Sequence, residues 1–485
     1  MGLLLLCNGG FMMLSALFSW IYEDGVTKDL SFTGILVLLV GFLLMMITKA
    51  HQKEIKKRDG YLIVTLGWFV MVVSGMLPYL FTGAIPGITN AFFESMSGYT
   101  TTGATILTDI ESLPEGVLFW RSITNWIGGM GFIVLAVAIL PLLGIGGMQL
   151  FAAEAPGPNA DKLHPRITDT AKRLWYIYFG YTVACTVFLN LAGMSFFDAV
   201  NHGLTSVSTG GFSTKNLSMA YWNNNPLIQY ISMLFMFLGG TNFVLSYYAF
   251  KGKLLNVIRD HEFRFYFFLV CGVSLVAGLI ILFRADVAMS AYHPMVFGET
   301  ESAFRHALFQ VISVITTTGY VSADFSNWTP FLTIVFFGLM FLGGSAGSTS
   351  GGVKVVRHLL MIKNGILEFK RALHPNAIIP VRYNGRTIQE PIIYNILGFF
   401  IIYMLMFIIG SLVLGLLGLD FESAVSGAAS SLGNVGPGLG VLNPLATFDV
   451  LPALGKWWCA FLMLLGRLEL FTVLILFTPY FWKRA

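Results

Sequence analysis

The sequence predicts an all-α polytopic membrane protein: four pseudo-symmetric helix–pore loop–helix repeats around one central pore, preceded by an N-terminal helix pair. Three observations carry that prediction. Of 485 residues, 56% are hydrophobic and only 11% charged, less than half the charged share of about 25% in soluble domains. Long apolar runs recur along the whole chain. Between them lie shorter apolar stretches that end in glycine-centred turns, and those turns are alike.

An apolar run needs about 20 residues to cross roughly 30 Å of hydrocarbon. Runs near 2–22, 32–50, 60–82, 117–145, 173–194, 226–250, 264–285, 328–356, 392–418 and 453–481 meet that length. Their number is even, which places both termini on one side. Every second connection is basic. The first carries Lys49, Lys53, Lys56, Lys57 and Arg58; the others carry Lys162 to Arg173, Lys251 to Arg264, and Lys354 to Arg386. The alternate connections lean acidic, with Asp109, Glu111, Glu115, Glu299 and Glu301. The positive-inside bias then predicts cytoplasmic basic loops and cytoplasmic termini. The net charge of +4 says little about partners, because such loops collect Lys and Arg in any membrane protein. Cys7, Cys185, Cys271 and Cys459 all fall in apolar stretches, so no disulfide framework is implied. Residues 2–22 read as a retained helix, since no basic stretch precedes them and no small-residue cleavage site follows.

The short apolar stretches hold an internal repeat. Residues 91–103 read Ala-Phe-Phe-Glu-Ser-Met-Ser-Gly-Tyr-Thr-Thr-Thr-Gly, and residues 307–319 read Ala-Leu-Phe-Gln-Val-Ile-Ser-Val-Ile-Thr-Thr-Thr-Gly. Two weaker copies end in Ser208-Thr209-Gly210-Gly211 and Asn434-Val435-Gly436. The glycines Gly103, Gly210, Gly319 and Gly436 recur at nearly equal intervals. Each is followed by another glycine in the next span: Gly128, Gly239, Gly344 and Gly466. This divides the chain into an N-terminal helix pair (1–58) and pore repeats 59–172, 173–263, 264–391 and 392–485. A generic turn accounts for one Thr-Thr-Thr-Gly. It does not account for four copies, each after a half-span and before a full one.

Chemistry gives the pattern a reason. A dehydrated K⁺ must exchange its water shell for a ring of oxygens, which stacked backbone carbonyls supply. Turning successive carbonyls inward requires dihedrals that glycine alone adopts freely. A preceding Thr adds a hydroxyl, and the partially negative end of each half-span helix points at the cavity. The candidate filter is therefore Thr101, Thr102, Gly103, Ser208, Thr209, Gly210, Thr317, Thr318, Gly319, Asn434, Val435 and Gly436, with K⁺ as the ion held.

At these residues the chain resembles the Trk/Ktr/HKT superfamily of potassium transporters, and within it the bacterial TrkH branch. The resemblance covers nearly the whole chain, including the extra N-terminal helix pair. It implies uptake of K⁺ and Rb⁺ across the bacterial inner membrane, with each repeat likened to one subunit of a tetrameric K⁺ channel. All four family filter positions are glycine here, whereas plant relatives that favour Na⁺ often carry Ser in the first. The Val435-Gly436 pair departs from Thr-Gly, so one ring lacks four-fold hydroxyls.

The run Gly343, Gly344, Ser345, Ala346, Gly347, Ser348, Thr349, Ser350, Gly351 and Gly352 interrupts the eighth span. Each interior glycine costs a helix about 1 kcal/mol, so the helix must break. The resemblance makes this the intramembrane gating loop below the filter; a plain loop at the membrane edge is the competing account. A phosphate-binding loop is rejected, because the Gly-Lys-[Ser/Thr] ending is missing. Arg467 sits mid-span, where an Arg costs about 2.5–3.5 kcal/mol and must face the pore or a partner. The resemblance assigns it to the gate beside the loop; a structural Arg–carboxylate pair is the alternative. Arg121, Asn125, Asp198, Glu94, Glu422 and Arg305 lie near helix ends and are expected to be solvated or structural.

Two other function classes fit the sequence less well. An intramembrane enzyme lacks support from any His-Glu-x-x-His, Ser–His or paired-Asp motif. An inverted-repeat secondary transporter conflicts with four copies that all enter from one side. The chain itself carries no nucleotide-binding domain and no cofactor motif. The resemblance implies a homodimer docked on a cytosolic, TrkA-like regulatory ring that binds NAD, ATP or ADP. Lipid is the surrounding partner, and nothing points to nucleic acid.

Overall fold

The computed structural model describes residues 1–48, 57–131, 167–284 and 295–482. Among them, six helices are long and apolar enough to cross a membrane, and two further spans are sharply bent pairs. The N-terminal pair, Gly2–Tyr22 and Thr27–Thr48, packs through glycines. Gly2 lies against Gly41 and Gly9 against Gly34, with no room for a side chain between the backbones. Such close approach is how helices associate in lipid, where no hydrophobic drive separates them from the solvent.

Each repeat then runs outer helix, pore helix, inner helix. Repeat 1 has Lys57–Gly75 continued by Leu77–Phe81, then Ile88–Tyr99, then Glu115–Trp126 ending in a π-helical turn, Ile127–Gly131. Repeat 2 has Ile167–Leu191, Phe196–Val207 and Pro226–Gly239. Repeat 3 has His261–Arg284, Glu299–Ile315 and Pro330–Leu339. Repeat 4 has Glu390–Leu416, Phe421–Gly433 and Ala453–Arg467. The fold is the all-α polytopic one expected. Its only strands among the described residues are Arg382–Tyr383 and Arg386–Thr387, a short antiparallel hairpin before outer helix 4.

The pore helices occupy the interior. From Ala91 to Tyr99 every residue of the first is buried, polar ones included. The outer helices instead expose large apolar side chains such as Phe188, Phe283, Ile401 and Leu412. Extended apolar surface of that kind needs a non-aqueous neighbour. Inner helix 1 packs on pore helices 1 and 2, inner helix 2 on pore helices 2 and 3, and inner helix 4 on pore helices 4 and 1. The last contact closes the circle.

Two inner spans depart from the straight runs expected. Inner helix 2 bends by 107° before resuming at Phe243–Phe250, although residues 226–250 read as one span. Inner helix 4 bends by 110° between Arg467 and Phe471. There Glu469 and Leu470 both adopt positive φ (53° and 52°), and the Phe471 N–H turns back to the Glu469 carbonyl. Inner helix 3 is interrupted as the sequence predicts, and helix resumes only at Val355–Leu373. The 32–50 and 117–145 readings differ in another way: Thr27–Thr48 starts earlier, and residues 132–145 lie outside the described residues, as does most of the basic connection 146–173.

Candidate functional site: a ring at the pore-helix ends

All four pore helices end in the same hydrogen-bond pattern. The N–H of Thr102 donates to Ser97 O (2.9 Å), Gly210 to Thr205 O (2.9 Å), Thr318 to Ser313 O (2.8 Å) and Val435 to Ser430 O (2.9 Å). The preceding N–H groups, of Thr101, Thr209, Thr317 and Asn434, reach the next carbonyl along. Together these bonds make a Schellman cap, which requires a left-handed residue. Thr101, Thr209, Thr317 and Asn434 fill that position with φ of 52°, 53°, 55° and 53°. Asn tolerates it. For a β-branched Thr it is a strained conformation, held only because the surroundings over-determine it.

Two residues further on, the chain turns left-handed again at Gly103, Gly211, Gly319 and Gly436 (φ 80°, 75°, 78° and 106°). Repeat 2 is therefore shifted by one residue from the match made on sequence. Its equivalent of Thr101-Thr102-Gly103 is Thr209-Gly210-Gly211, not Ser208-Thr209-Gly210. Gly211 lies midway between Gly103 and Gly319, which the nearer Thr-Gly pair had obscured. Ser208 falls instead in the helix cap.

These four glycines meet. A methyl on Gly103 would lie 2.5 Å from Gly210 O, and one on Gly436 2.6 Å from Thr102 O. Methyls on Gly211 and Gly319 would overlap Thr318 O and Val435 O outright. Each glycine thus faces the carbonyl of the next repeat, in the order 1, 2, 3, 4 and back to 1. The carbonyls of Thr102, Gly210, Thr318 and Val435 form one ring. Only two residues of that ring carry hydroxyls, and both are held locally: Thr102 by Thr100 (2.8 Å) and Thr318 by Thr316 (2.7 Å).

Inner-helix glycines admit the pore-helix ends. A side chain on Gly128, Gly239 or Gly466 would strike Tyr99 O, Val207 O or Leu432 O, the same position in repeats 1, 2 and 4. Repeat 3 breaks the rule, for Gly344 lies against Gly240 O of inner helix 2.

The reason is the run 343–352, which fills the space directly beneath the ring, on the side of the basic loops. Thr349 donates from Oγ1 to Val207 O (2.9 Å) and Gly239 O (3.0 Å), and its hydroxyl meets that of Thr209 (3.3 Å). The Gly351 N–H donates to Thr317 Oγ1 (2.7 Å). Ser345 N–H donates to Gly240 O (2.8 Å), and Ala346 N–H to the buried Glu262 carboxylate (2.7 Å). The run is therefore not a loop at the membrane edge. Arg467 completes the layer: Nη1 donates to Thr101 Oγ1 and Thr349 O (both 2.9 Å), and Nη2 to Gly128 O and Gly129 O. Asn434 closes the fourth side, donating to Thr102 Oγ1 (3.0 Å) and Met463 O (2.9 Å). Thr101, Thr209 and Thr317 are thus each engaged from below. The carboxylate nearest Arg467 in sequence, Glu469, is engaged by Arg357, whose guanidinium also lies 3.8 Å from the Phe399 ring centre.

Of the side chains expected to be solvated or structural, several are buried in structural roles. Glu94, Arg121, Asn125 and Arg305 are at most 1% exposed, whereas Glu422 is exposed as expected. Arg121 and Glu94 pair at 2.9 Å, and Arg305 pairs with Glu301 at 2.8 Å. Asp198 accepts from Thr214 Oγ1 (2.5 Å) and from Ser195 Oγ (2.8 Å). Arg121–Glu94 and Asp198–Thr214 join separate elements and have no local spacing signal, whereas Arg305–Glu301 is an i,i+4 pair on one helix and Ser195 caps the helix that carries Asp198.

Four re-entrant hairpins that converge on one carbonyl ring define the class: a pore-loop membrane protein built from four fused repeats. A family model described as TrkH, cation transport protein, matches residues 28–484, and the chain belongs to that family. It is 41% identical to the Trk system potassium uptake proteins TrkH of Salmonella typhimurium and of Escherichia coli, each over 99% of this chain and 98% of the relative. The crystal structure of the potassium transporter TrkH from Vibrio parahaemolyticus matches with a TM-score of 0.87 and 40% identity, over 99% of this chain and 98% of that one.

Proposed function

We propose that the chain takes up K⁺, and Rb⁺ with it, across the bacterial inner membrane, by channel-like permeation through the carbonyl ring. The observation that carries this reading is the closed circle of close approaches among Gly103, Gly211, Gly319 and Gly436 and the carbonyls of Thr102, Gly210, Thr318 and Val435. Stacked oxygens of that kind replace the water of a monovalent cation. The relatives named above are potassium uptake proteins, which favours K⁺ over Na⁺.

Residues 343–352 and Arg467 act as the gate. Their bonds to Thr101, Thr209 and Thr317 put a guanidinium and a loop where an ion leaving the ring must pass. The basic loops and both termini lie in the cytoplasm. The four repeats, 59–172, 173–263, 264–391 and 392–485, are the functional units after the 1–58 helix pair. The protein works as a homodimer with a cytosolic regulatory ring that responds to NAD, ATP or ADP; the relatives' description as parts of a Trk system supports a separate partner.

Cation flux into proteoliposomes tests the reading. Wild-type protein should pass K⁺ and Rb⁺ in preference to Na⁺. Gly103→Ser should lose most of that preference while remaining folded, because its side chain would press on the Gly210 carbonyl. An unchanged preference in the variant, or hydrolysis of a substrate without flux, would sink the filter assignment.

A further inference from the structure

The carbonyl ring must be held from outside as well as from below. At the same distance before each left-handed glycine stand Glu94, His202, Gln310 and Gly427. Each of the first three reaches back to the strand that follows its own ring glycine. His202 Nε2 pairs with Ser213 Oγ (2.9 Å), and Gln310 donates to Ala323 O (2.9 Å). Gly427 has no side chain to do so. Glu94 does far more than its counterparts. Its carboxylate accepts from Thr105 Oγ1 (2.9 Å), from the Ile106 N–H (3.0 Å) and from Arg121 Nε (2.9 Å).

Arg121, on inner helix 1, extends the same network into the neighbouring repeat. Nη1 donates to Ser213 O (3.0 Å), Nη2 to Thr105 Oγ1 (3.3 Å), and the guanidinium lies 4.2 Å from the Phe212 ring centre. Phe212 and Ser213 directly follow Gly211, as Ala104 and Thr105 follow Gly103. One buried ion pair therefore ties the strands leaving two adjacent ring glycines to a single pore helix. A planar, forked guanidinium fixes both directions at once, which an ammonium cannot.

We infer that Glu94 and Arg121 are positioning residues that set ion discrimination, by fixing the spacing between the repeat 1 and repeat 2 arms of the carbonyl ring. The pair touches no ion. It acts on the backbone just beyond Gly103 and Gly211, and any slack there widens one quadrant of the ring. A hydrated or smaller cation then finds fewer oxygens held at a fixed distance. In repeats 3 and 4 the ion pairs Arg305–Glu301 and Lys456–Asp449 do not hold the residues directly after Gly319 and Gly436, so the effect is confined to one side of the ring.

The inference rests on the filter reading above, and the test separates the two. K⁺ and Na⁺ fluxes are measured in proteoliposomes for wild type, Arg121→Lys and Glu94→Asp. Both variants keep the charges and lose reach. The readout is the K⁺/Na⁺ ratio, which does not depend on how much protein has folded. A loss of about tenfold in the ratio is expected, the factor that follows from losing one charge-assisted bond to a fixed backbone group. Thr105→Val, which removes only the hydroxyl shared by the pair, should lower the ratio by about threefold, and it decides the matter should the other two fail to fold. Wild-type ratios in the folded variants would overturn the inference. A wild-type protein that does not discriminate K⁺ from Na⁺ would overturn the filter reading instead.

Discussion

The ring and the inner helices beneath it differ sharply in symmetry. At the pore-helix ends, four segments, two of them only weak copies in sequence, repeat the same bond at 2.8–2.9 Å and the same left-handed step at φ 52–55°. A few residues lower the four inner helices share no common course, although the second and fourth bend alike. The first passes into a π turn, the second bends by 107°, the third dissolves between 340 and 354, and the fourth bends by 110°. The contrast is one of demand. A spherical ion asks the same thing of all four arms, so the backbone converges even where side chains do not. A plug needs to come from one direction only, and the other inner helices need only leave room for it.

The sharpest way to break this comparison is at repeat 2, where sequence and backbone disagree about which glycine belongs to the ring. Gly211→Ala places a methyl onto Thr318 O from a φ of 75°. A left-handed non-glycine residue alone costs about 1–2 kcal/mol, and the overlap adds to it. K⁺ flux should fall by well over tenfold, or discrimination should vanish. Gly210→Ala puts its methyl against the Asn125 side chain, with no left-handed backbone to maintain. A side chain can shift where a ring carbonyl cannot, so its effect should be severalfold smaller. Equal losses in the two variants would return the ring position to Gly210 and undo the four-fold register.

Arg467→Ala probes the lower layer and should have the next largest effect, in the opposite direction. The guanidinium reaches Thr101, Thr349, Gly128 and Gly129, so it stands across the path beneath the ring. A unit charge about 4 Å from a cation opposes it by roughly 4 kcal/mol at an effective dielectric of 20. Basal K⁺ flux without any regulator should rise about tenfold, with the K⁺/Na⁺ ratio little altered. A fall in flux would mean that Arg467 braces the ring instead of blocking it.

These cases also mark what could be read from residues alone. The spans and the four hairpins were legible because hydropathy and glycine spacing survive without side-chain detail. Gly103, Gly319 and Gly436 were legible for the same reason. Repeat 2 was not, because Thr209-Gly210-Gly211 offers two glycines and only the dihedral angles choose between them. The break at 343–352 was visible through its glycine content. The breaks after Gly239 and Arg467 were hidden: the first follows a single Gly-Gly pair, and the second places the non-glycine residues Glu469 and Leu470 at positive φ. Glu94 and Arg121 read as end-of-helix charges because their meeting depends on how inner helix 1 leans on pore helix 1. Long-range pairing of that kind has no local sequence signal.

The smallest effect expected is at Thr349, and it sharpens the comparison most finely. Thr349 is buried, and its hydroxyl donates to two carbonyls of repeat 2, Val207 O at the end of the pore helix and Gly239 O at the end of inner helix 2. It is the point where the irregular layer reaches into the regular one. Thr349→Val keeps the shape and removes both bonds, at about 0.5–1.5 kcal/mol each. Gly239 O keeps a second donor, the Thr349 N–H. The second cap loses the Thr209 contact but keeps its backbone bonds, so ion discrimination should stay at the wild-type value. The plug should loosen, raising basal flux by about threefold to tenfold, less than Arg467→Ala. A change in discrimination with basal flux unaltered would reverse the assignment, making the run 343–352 a support for the ring and leaving Arg467 as the sole obstruction.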